Sequence, residues 1–543
     1  MRRHGAGLGS PWSIAVGFDE FTPGDKLKVN NRRKSMVLSF SFVELGIWNL
    51  WSEAVWLTPA VVRHNIISKV VGGWSHMLDK FVKLMLFGPH GLETAGVSIV
   101  CDGVSIPLYA KLKHLFSDGD GLRAALEWKG ASGFKPCFRH WNCLMKNSEI
   151  VGRDPDYVEI TCNDPARFRR WGPGELESSV DMLAETLRRV RAGTLPAARL
   201  ESLEKAIGFN ATLTGILADV DLRSHVLIGD IAKYDWMHSA LQNGVVTDEV
   251  FLFCKACRVG GHNFSDISQY LKTEWIFPQS ARHAGKGLYH VFDAFRSRSS
   301  DKADKLKASA SELLGLYSIL RHWATVAVGD RADIAPQRAS FEAACTVIDI
   351  ILQAKRGELT TQVASSMLLA SMTAFVDLHV AAYGGDDIKP KCHWLFDVAE
   401  QMSESDVVLD AFIIEKLHLR CKRNMEPVKN ETCMERSVLS GVVNEMFKVA
   451  LRPITDCLCG HARRYGGTVI ADSLVIRGRH ISTGDVVFLD ATAAITQVCA
   501  QEDNELYVVV RKLTFVAQVL ERPSAVFKFI SFKPSGDQAR RKD

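Results

Sequence analysis

The chain begins with short apolar runs. "SIAVGF" (13–18) stops at Asp19, and "DEFTPGDKL" then turns about Pro23-Gly24. "SMVLSFSFV" (35–43) alternates well enough to predict a second strand. From 59 to 87 the apolar spacing becomes helical, with a break at Gly72-Gly73. "VSIVCDGVSI" and "YAKLKHLF", within 97–116, predict two further short strands. They end at "SDGDG", a loop that opens toward a helix over "LRAALEW". Strands, a long helix, more strands, then loop and helix make a mixed α/β pattern.

The strand signal then fades. Residues 174–206 read as a charged helical stretch, and 265–272, 303–328, 338–356 and 360–383 carry helical spacing without alternation. "KPKCHWLFDVAEQM" and "DAFIIEKLHLRCKRN" predict further helices. Short β-rich runs split by Gly, Asp and Asn return over 465–532 and predict a small β-barrel or sheet. The tail "KPSGDQARRKD" is expected to be disordered.

Composition narrows the classes. The chain is 47% hydrophobic and 24% charged, which argues for a buried core and against global disorder. A net charge of +4 permits a nucleic-acid partner without demanding one. The two most apolar stretches, 42–62 and 363–383, are interrupted by Glu44 and Glu53, and by Asp377 and His379. Both are expected to be buried helices, with no membrane partner. "MRRHGAGLGSPW" lacks the apolar segment of a secretory signal. The 13 scattered cysteines are therefore expected to be reduced thiols in the cytosol or nucleus, a few of them candidates for holding metal.

Several residues are candidates for chemistry. Asp19 and Asp118 each follow an apolar strand, and two acids at neighbouring strand ends can share divalent ions. Asp118-Gly119 is also ordinary turn chemistry. Cys137-x-x-His140 is half of a zinc site. His393 and Asp397, four apart, would share one helical face and complete it. The alternative for each half is a buried thiol or a cap pair. Asp235-x-x-His238 is either a piece of an active site or a polar cap on a buried helix. "DPARFRRWGP" (164–173) interleaves Arg167, Arg169 and Arg170 with Phe168 and Trp171, which suits DNA phosphates and bases or a solvated basic turn. Cys254-x-x-Cys257 is expected to be packing, and Cys457, Cys459 and His461 have no matching partners. There is no P-loop, serine nucleophile elbow or H-E-x-x-H.

The order of "VGFDEFTPGDKL", "FSDGDGLRAALEWKGASGFKPCFRH", "YDWMHSALQNGV", "KPKCHWLF" and "IIEKLHLRCKRNMEPVKN" resembles the DDE transposases of the CACTA (En/Spm-like) group. The likeness runs over roughly 12–440. It implies a ribonuclease-H-like core interrupted by an all-helical insertion, followed here by a small C-terminal β domain. The corresponding division is 1–239 for the first part of the core, 240–389 for the insertion, 390–445 for core completion and 446–543 for the β domain. The resemblance implies DNA cleavage and strand transfer at mobile-element ends. Asp19, Asp118 and Glu415 would hold two Mg²⁺ or Mn²⁺ ions, with Asp235 and His238 as the D-x-x-H pair beside them. Either Asp118 or Asp235 would be the second acid. Lys416, Arg420, Lys422 and Arg423 would meet double-stranded DNA, and Cys137, His140, His393 and Asp397 would hold a structural Zn²⁺. A nuclear location and self-association are further implications.

The chain departs from the family at His140, where a second Cys is usual, and at Asp397, near which a second His is expected. No DNA-binding zinc finger is recognisable before Asp19, so a truncated copy is one expectation. The alternative function is an inactive, transposase-derived DNA-binding or zinc-stabilised scaffold.

Overall fold

The computed structural model describes residues 6–23, 33–101, 103–146, 148, 155–275, 287–293, 306–430 and 432–450, and most of 457–512. The chain divides into two compact units, residues 1–249 with 339–450, and residues 250–338 with 451–543.

The first unit is built on a five-stranded mixed sheet. Its strands are β1 (Trp12–Phe21), β2 (Ser35–Phe42), β3 (Leu57–Arg63), β4 (Ala110–Ser117) and β5 (Ala232–Tyr234), in the order β3-β2-β1-β4-β5. β1 is antiparallel to β2 and parallel to β4, and β4 is parallel to β5. Ile14, Ala15, Val16 and Phe18 of the central strand are fully buried. That explains its continuous apolar run, because a central strand covered on both faces has no polar side to show.

Two strand boundaries differ from the sequence pattern. β1 continues to Phe21, so Asp19 lies inside the strand, opposite Val37. β3 occupies "LTPAVVR", a stretch whose apolar spacing had merged with the helix behind it. Thr58 and Ala60 are buried while Pro59 between them is exposed, which is strand periodicity. Pro59 is tolerated because β3 is an edge strand. "VSIVCDGVSI" folds on itself as a hairpin, Val97–Cys101 against Val104–Leu108, outside the main sheet.

Helices of the first unit carry the remaining parts. They include α1 (Gly73–Phe87), α2 (Gly119–Leu126), α3 (Glu175–Arg191), the short α4 (Trp236–Ala240), α5 (Thr361–Tyr383), α6 (Pro390–Glu404), α7 (Phe412–Met425) and α8 (Met434–Ala450). α7 packs on the sheet through Ile413, Ile414 and Leu417, against Ala15, Trp56 and Phe116. Cys421 and Met425 continue the stripe onto Phe21, Val37 and Val61, joined by Met434, Val438 and Val442 of α8. The spacing of those positions follows one face of a helix. Gly17 sets how close α7 can come. A Cβ there would stand 2.6 Å from Ile414 Cδ1 and 2.7 Å from Phe116 Cζ, so only glycine fits two residues before Asp19. By length and composition α5 could cross a membrane. It buries a stripe that includes Leu368, Met372 and Phe375, and it packs against α6.

The second unit contains helices such as Phe264–Thr273 and Ala310–Trp323 and small antiparallel sheets near its C-terminal end. The longest strand there, Thr492–Glu502, pairs with Thr468–Ala471, Val486–Leu489 and Glu505–Lys512. Residues 513–543, with the tail expected to be disordered, lie outside the described residues.

Candidate functional site

Strand register brings three acids into one row. Gly17 pairs with Phe116 across β1 and β4, so Asp19 and Asp118 are each two residues farther on. Ser117 pairs with Tyr234 across β4 and β5, so Asp118 and Asp235 are each one residue farther on. Asp118 and Asp235 directly follow β4 and β5, and Asp19 lies two residues before the end of β1, so all three sit toward the carboxyl edge of the parallel strands, where open α/β sheets bind ligands. Glu415, in the first turn of α7, joins them. Burial, the charge of Asp118, and then those of Glu415 and Asp235 hold the Asp19 carboxyl well above its ordinary range, against the pull of His238. Burial likewise raises the Glu415 carboxyl, with His238 opposing and Asp235 adding to it. Four acids facing one another in a half-buried site are a charge pattern that a cation relieves.

The acids are not equivalent. Asp118 caps α2, its Oδ1 accepting the Gly121 N–H at 2.6 Å. Asp235 caps α4 and is saturated. Its Oδ1 accepts from Met237 N and Ala411 N, and its Oδ2 from His238 N and His238 Nδ1, at 2.6–3.1 Å. A carboxylate has about four acceptor positions, and all are taken. The Ala411 bond fixes the residue just before α7, so Asp235 helps to seat Glu415. Of the two Asp residues that the sequence left open, Asp118 is the one whose acceptor positions are less occupied.

His238 is the cation of the group. Burial works against its charge. The hydrogen bond and charge of Asp235, then Asp118 and Asp19, overcome this and raise it from 6.5 to about 9. The Asp235–His238 pair therefore stabilises the fold fully below pH 6.5, and that contribution is lost as pH rises through about 9. His238 should titrate near pH 9 by NMR, and in Asp235→Asn it should titrate at least one unit lower. An unchanged value would remove Asp235 as the cause.

Two groups beside the acids were not apparent from the sequence. Lys391 of α6 donates to His238 O and Gln242 O, both at 2.8 Å, so α6 holds the D-x-x-H turn. His418 lies one turn after Glu415, with Nδ1 3.9 Å from Asp19 Oδ2 and its ring stacked on Phe21 at 5.4 Å. Burial, Lys422 and His238 keep it neutral, its value lowered to about 3. Glu415-x-x-His418 was visible as a spacing, but only β1 beneath α7 gives the histidine a partner.

A second group is fully buried. Cys137 and His140, from the loop after α2, meet His393 and Asp397 of α6, which are four apart on one face. Their ligand atoms all lie within 4.8 Å of one another. His140 Nδ1 is 3.7 Å from Cys137 Sγ, 3.2 Å from His393 Nε2 and 3.1 Å from Asp397 Oδ1. Cys137 Sγ is 3.2 Å from Asp397 Oδ2. A tetrahedral ion with zinc-like bond lengths separates its ligands by roughly 3.3–3.7 Å, so the atoms already outline such a site. The N–H groups of Arg139 and His140 both point at Cys137 Sγ, at 3.3 Å. His140 Nε2 is backed by Glu400 at 3.5 Å, the supporting carboxylate that a ligating histidine usually has. One thiolate and one carboxylate would neutralise a divalent ion in this dry interior. This buried group could hold a metal ion.

Burial and close spacing make its charges act strongly on one another. Burial disfavours the Asp397 carboxylate, yet His140, His393 and Arg139 hold it well below the usual range. The Asp397 charge and hydrogen bond raise His140 to about 12 despite burial. Burial lowers His393 to about 3 and, with Asp397, raises the Cys137 thiol.

The basic residues divide. Arg420, expected at a DNA interface, is buried and bonds Glu53 at 3.1 Å, so it props α7 against the chain before β3 and does not face solvent. Arg170 is bound to Glu404 at 2.6 Å, and Arg169 to Asp156 at 3.2 Å. Arg167, Lys416 and Arg423 are exposed, and Lys422 is half-buried and faces Glu415. Phe168 is no base-stacking surface, because it is buried with its ring centre 4.3 Å from that of His393, closing the metal group. Cys254 and Cys257 are buried free thiols. The side chains of Cys457 and Cys459 lie outside the described residues.

No family model matches this sequence, and no curated protein matches it.

Proposed function

We propose that this protein is a metal-dependent polynucleotidyl transferase of the DDE type, resembling CACTA-group transposases. The observation that carries the proposal is that strand register sets Asp19 beside Asp118, with Glu415 of α7 near enough that burial, Asp118 and Glu415 together raise the Asp19 carboxyl well above its ordinary range. The sheet supports it. An antiparallel meander extended by two parallel strands is what a ribonuclease-H-like core has, and long helical stretches separate β5 from α7.

The oxygen donors of Asp19, Asp118 and Glu415 suit Mg²⁺ or Mn²⁺. Two such ions would acidify the attacking water and stabilise the leaving oxygen in phosphodiester cleavage. Asp235 orients His238 and fixes the start of α7. His238 and Lys391 balance the acids with positive charge, and Lys422 extends that charge along the Glu415 face. The exposed Arg167, Lys416 and Arg423 are available to DNA phosphates. The Cys137, His140, His393 and Asp397 group is assigned to structural zinc, since four protein ligands leave no open position.

The test is divalent-dependent nicking and strand transfer on duplex DNA, with the parent protein and Glu415→Gln. Activity in the parent and its loss in the variant would support the transferase. DNA binding without cleavage in the parent would favour an inactive scaffold derived from such an enzyme.

A further inference from the structure

We propose that the cleft between Trp141 and Trp171 binds an unpaired nucleobase of a DNA strand. This rests on the proposed action on DNA and adds to it a second, non-catalytic subsite.

The loop that supplies Cys137 and His140 pairs with the Arg-rich segment. Trp141 N–H donates to Arg169 O at 3.0 Å, Trp171 N–H donates to Arg139 O at 3.2 Å, and His140 bridges Arg170. His140 turns inward to the metal group. Trp141 and Trp171 instead line a cleft of about 560 Å³, together with Pro173, Glu175 and Ser178. The cleft is open and shallow, which suits a flat ring laid against the indoles.

Three features define the occupant. Two indoles in one cleft offer stacking surface, and base–aromatic stacking tolerates any base. The Trp171 Nε1–H is buried without a hydrogen-bond partner, so a rearrangement of this indole on binding would cost no existing bond there. Beneath the rings lies the buried Lys135, its Nζ 5.8 Å from the centre of Trp141, 5.6 Å from Tyr157 and 5.2 Å from Trp171. The aromatic faces thus already hold one cation of the protein's own. An alkylammonium ligand would be repelled by Lys135, whereas a neutral base carrying phosphates would not. Arg167 and Arg169 are exposed on the adjoining segment. The Arg169–Asp156 pair, with the Arg169 side chain 59% exposed, is a surface pair easily exchanged for a phosphate.

A base stacked inside a duplex has neither face free. The occupant must therefore be extruded or single-stranded. The loop is held to the sheet end, since Phe138 N–H donates to the Tyr234 hydroxyl at 3.2 Å, one residue before Asp235.

The experiment uses the full chain and two probes. Anisotropy reads binding to labelled duplex DNA. Fluorescence of 2-aminopurine, placed paired or unpaired in the same duplex, reads stacking. The parent should quench the unpaired probe and leave the paired one bright. Trp171→Ala should lose that quenching and bind the unpaired substrate about tenfold more weakly, with binding to perfect duplex unchanged. Trp171→Phe, which keeps a ring, should retain part of the quenching. Ser178→Trp should block it by filling the cleft, which guards against a Trp171→Ala that fails to fold. Duplex binding with no quenching in the parent would overturn the cleft and leave the transferase proposal standing. Binding of a trimethyl-lysine peptide with no DNA binding would overturn both.

Discussion

Asp19→Asn should abolish DNA cleavage and at the same time stabilise the protein in buffer without added divalent ion. Loss of activity of at least about 10³-fold is expected, beyond the 10–100-fold typical of residues that only support a ligand. The stability gain follows from sign. The folded-state carboxyl of Asp19 is raised above 3.8 by burial and by Asp118, so the folded chain holds that proton more tightly than the unfolded chain. Stability is therefore lost as pH rises from about 4 through the raised value. A neutral amide removes that loss. Thermal melting against pH should show the parent falling over this range while Asp19→Asn stays flatter, with a midpoint a few degrees higher at pH 7. Added Mg²⁺ should reverse the order, because an ion bound only by the folded parent stabilises it by mass action. If the variant is less stable than the parent at pH 7 without Mg²⁺, the acids are structural and the proposed metal site loses its basis.

Removing the buried metal group should have a larger effect on folding. One zinc per chain is expected by elemental analysis, and a strong chelator should lower the melting midpoint by about 10 °C or more. Cys137→Ser and His393→Ala should do the same without chelator. Breaking the group leaves Asp397, Arg139 and His140 buried with incomplete partners, a situation that costs about 3–5 kcal/mol on its own. The loss should reach the acids as well. α6 carries His393 and Asp397, and its Gln401 side chain clamps both Tyr234 N, at 2.8 Å, and Tyr234 O, at 3.0 Å. Tyr234 directly precedes Asp235, and Lys391 of the same helix holds His238 O. Cys137→Ser should therefore weaken cleavage even at temperatures where the fold survives. A metal-free protein that melts unchanged with chelator would remove zinc from the site.

Much of the fold was readable from local pattern. The apolar run before Asp19, the alternation of 35–43 and the helical spacing after 240 each report which face of an element is buried, and burial is what the sequence must encode. β3 was hidden because seven residues beside a helix give too few positions to separate the two periods. Asp118 was legible because Asp-Gly after an apolar strand is a cap, and it caps α2.

The candidate sites divide the same way. The sequence by itself determined the residue types and their short spacings: Cys137-x-x-His140, His393 and Asp397 one turn apart, Asp235-x-x-His238, and Glu415 on a helix. Only the tertiary structure decided their partners. It joined Cys137 to Asp397 across 260 positions, aligned Asp19 with Asp118 through strand register, saturated Asp235 with four donors, and turned Arg420 and Phe168 inward. The reason is physical. A side chain's local spacing fixes the direction in which it leaves its helix or strand, while what it meets there depends on packing between elements distant in the chain.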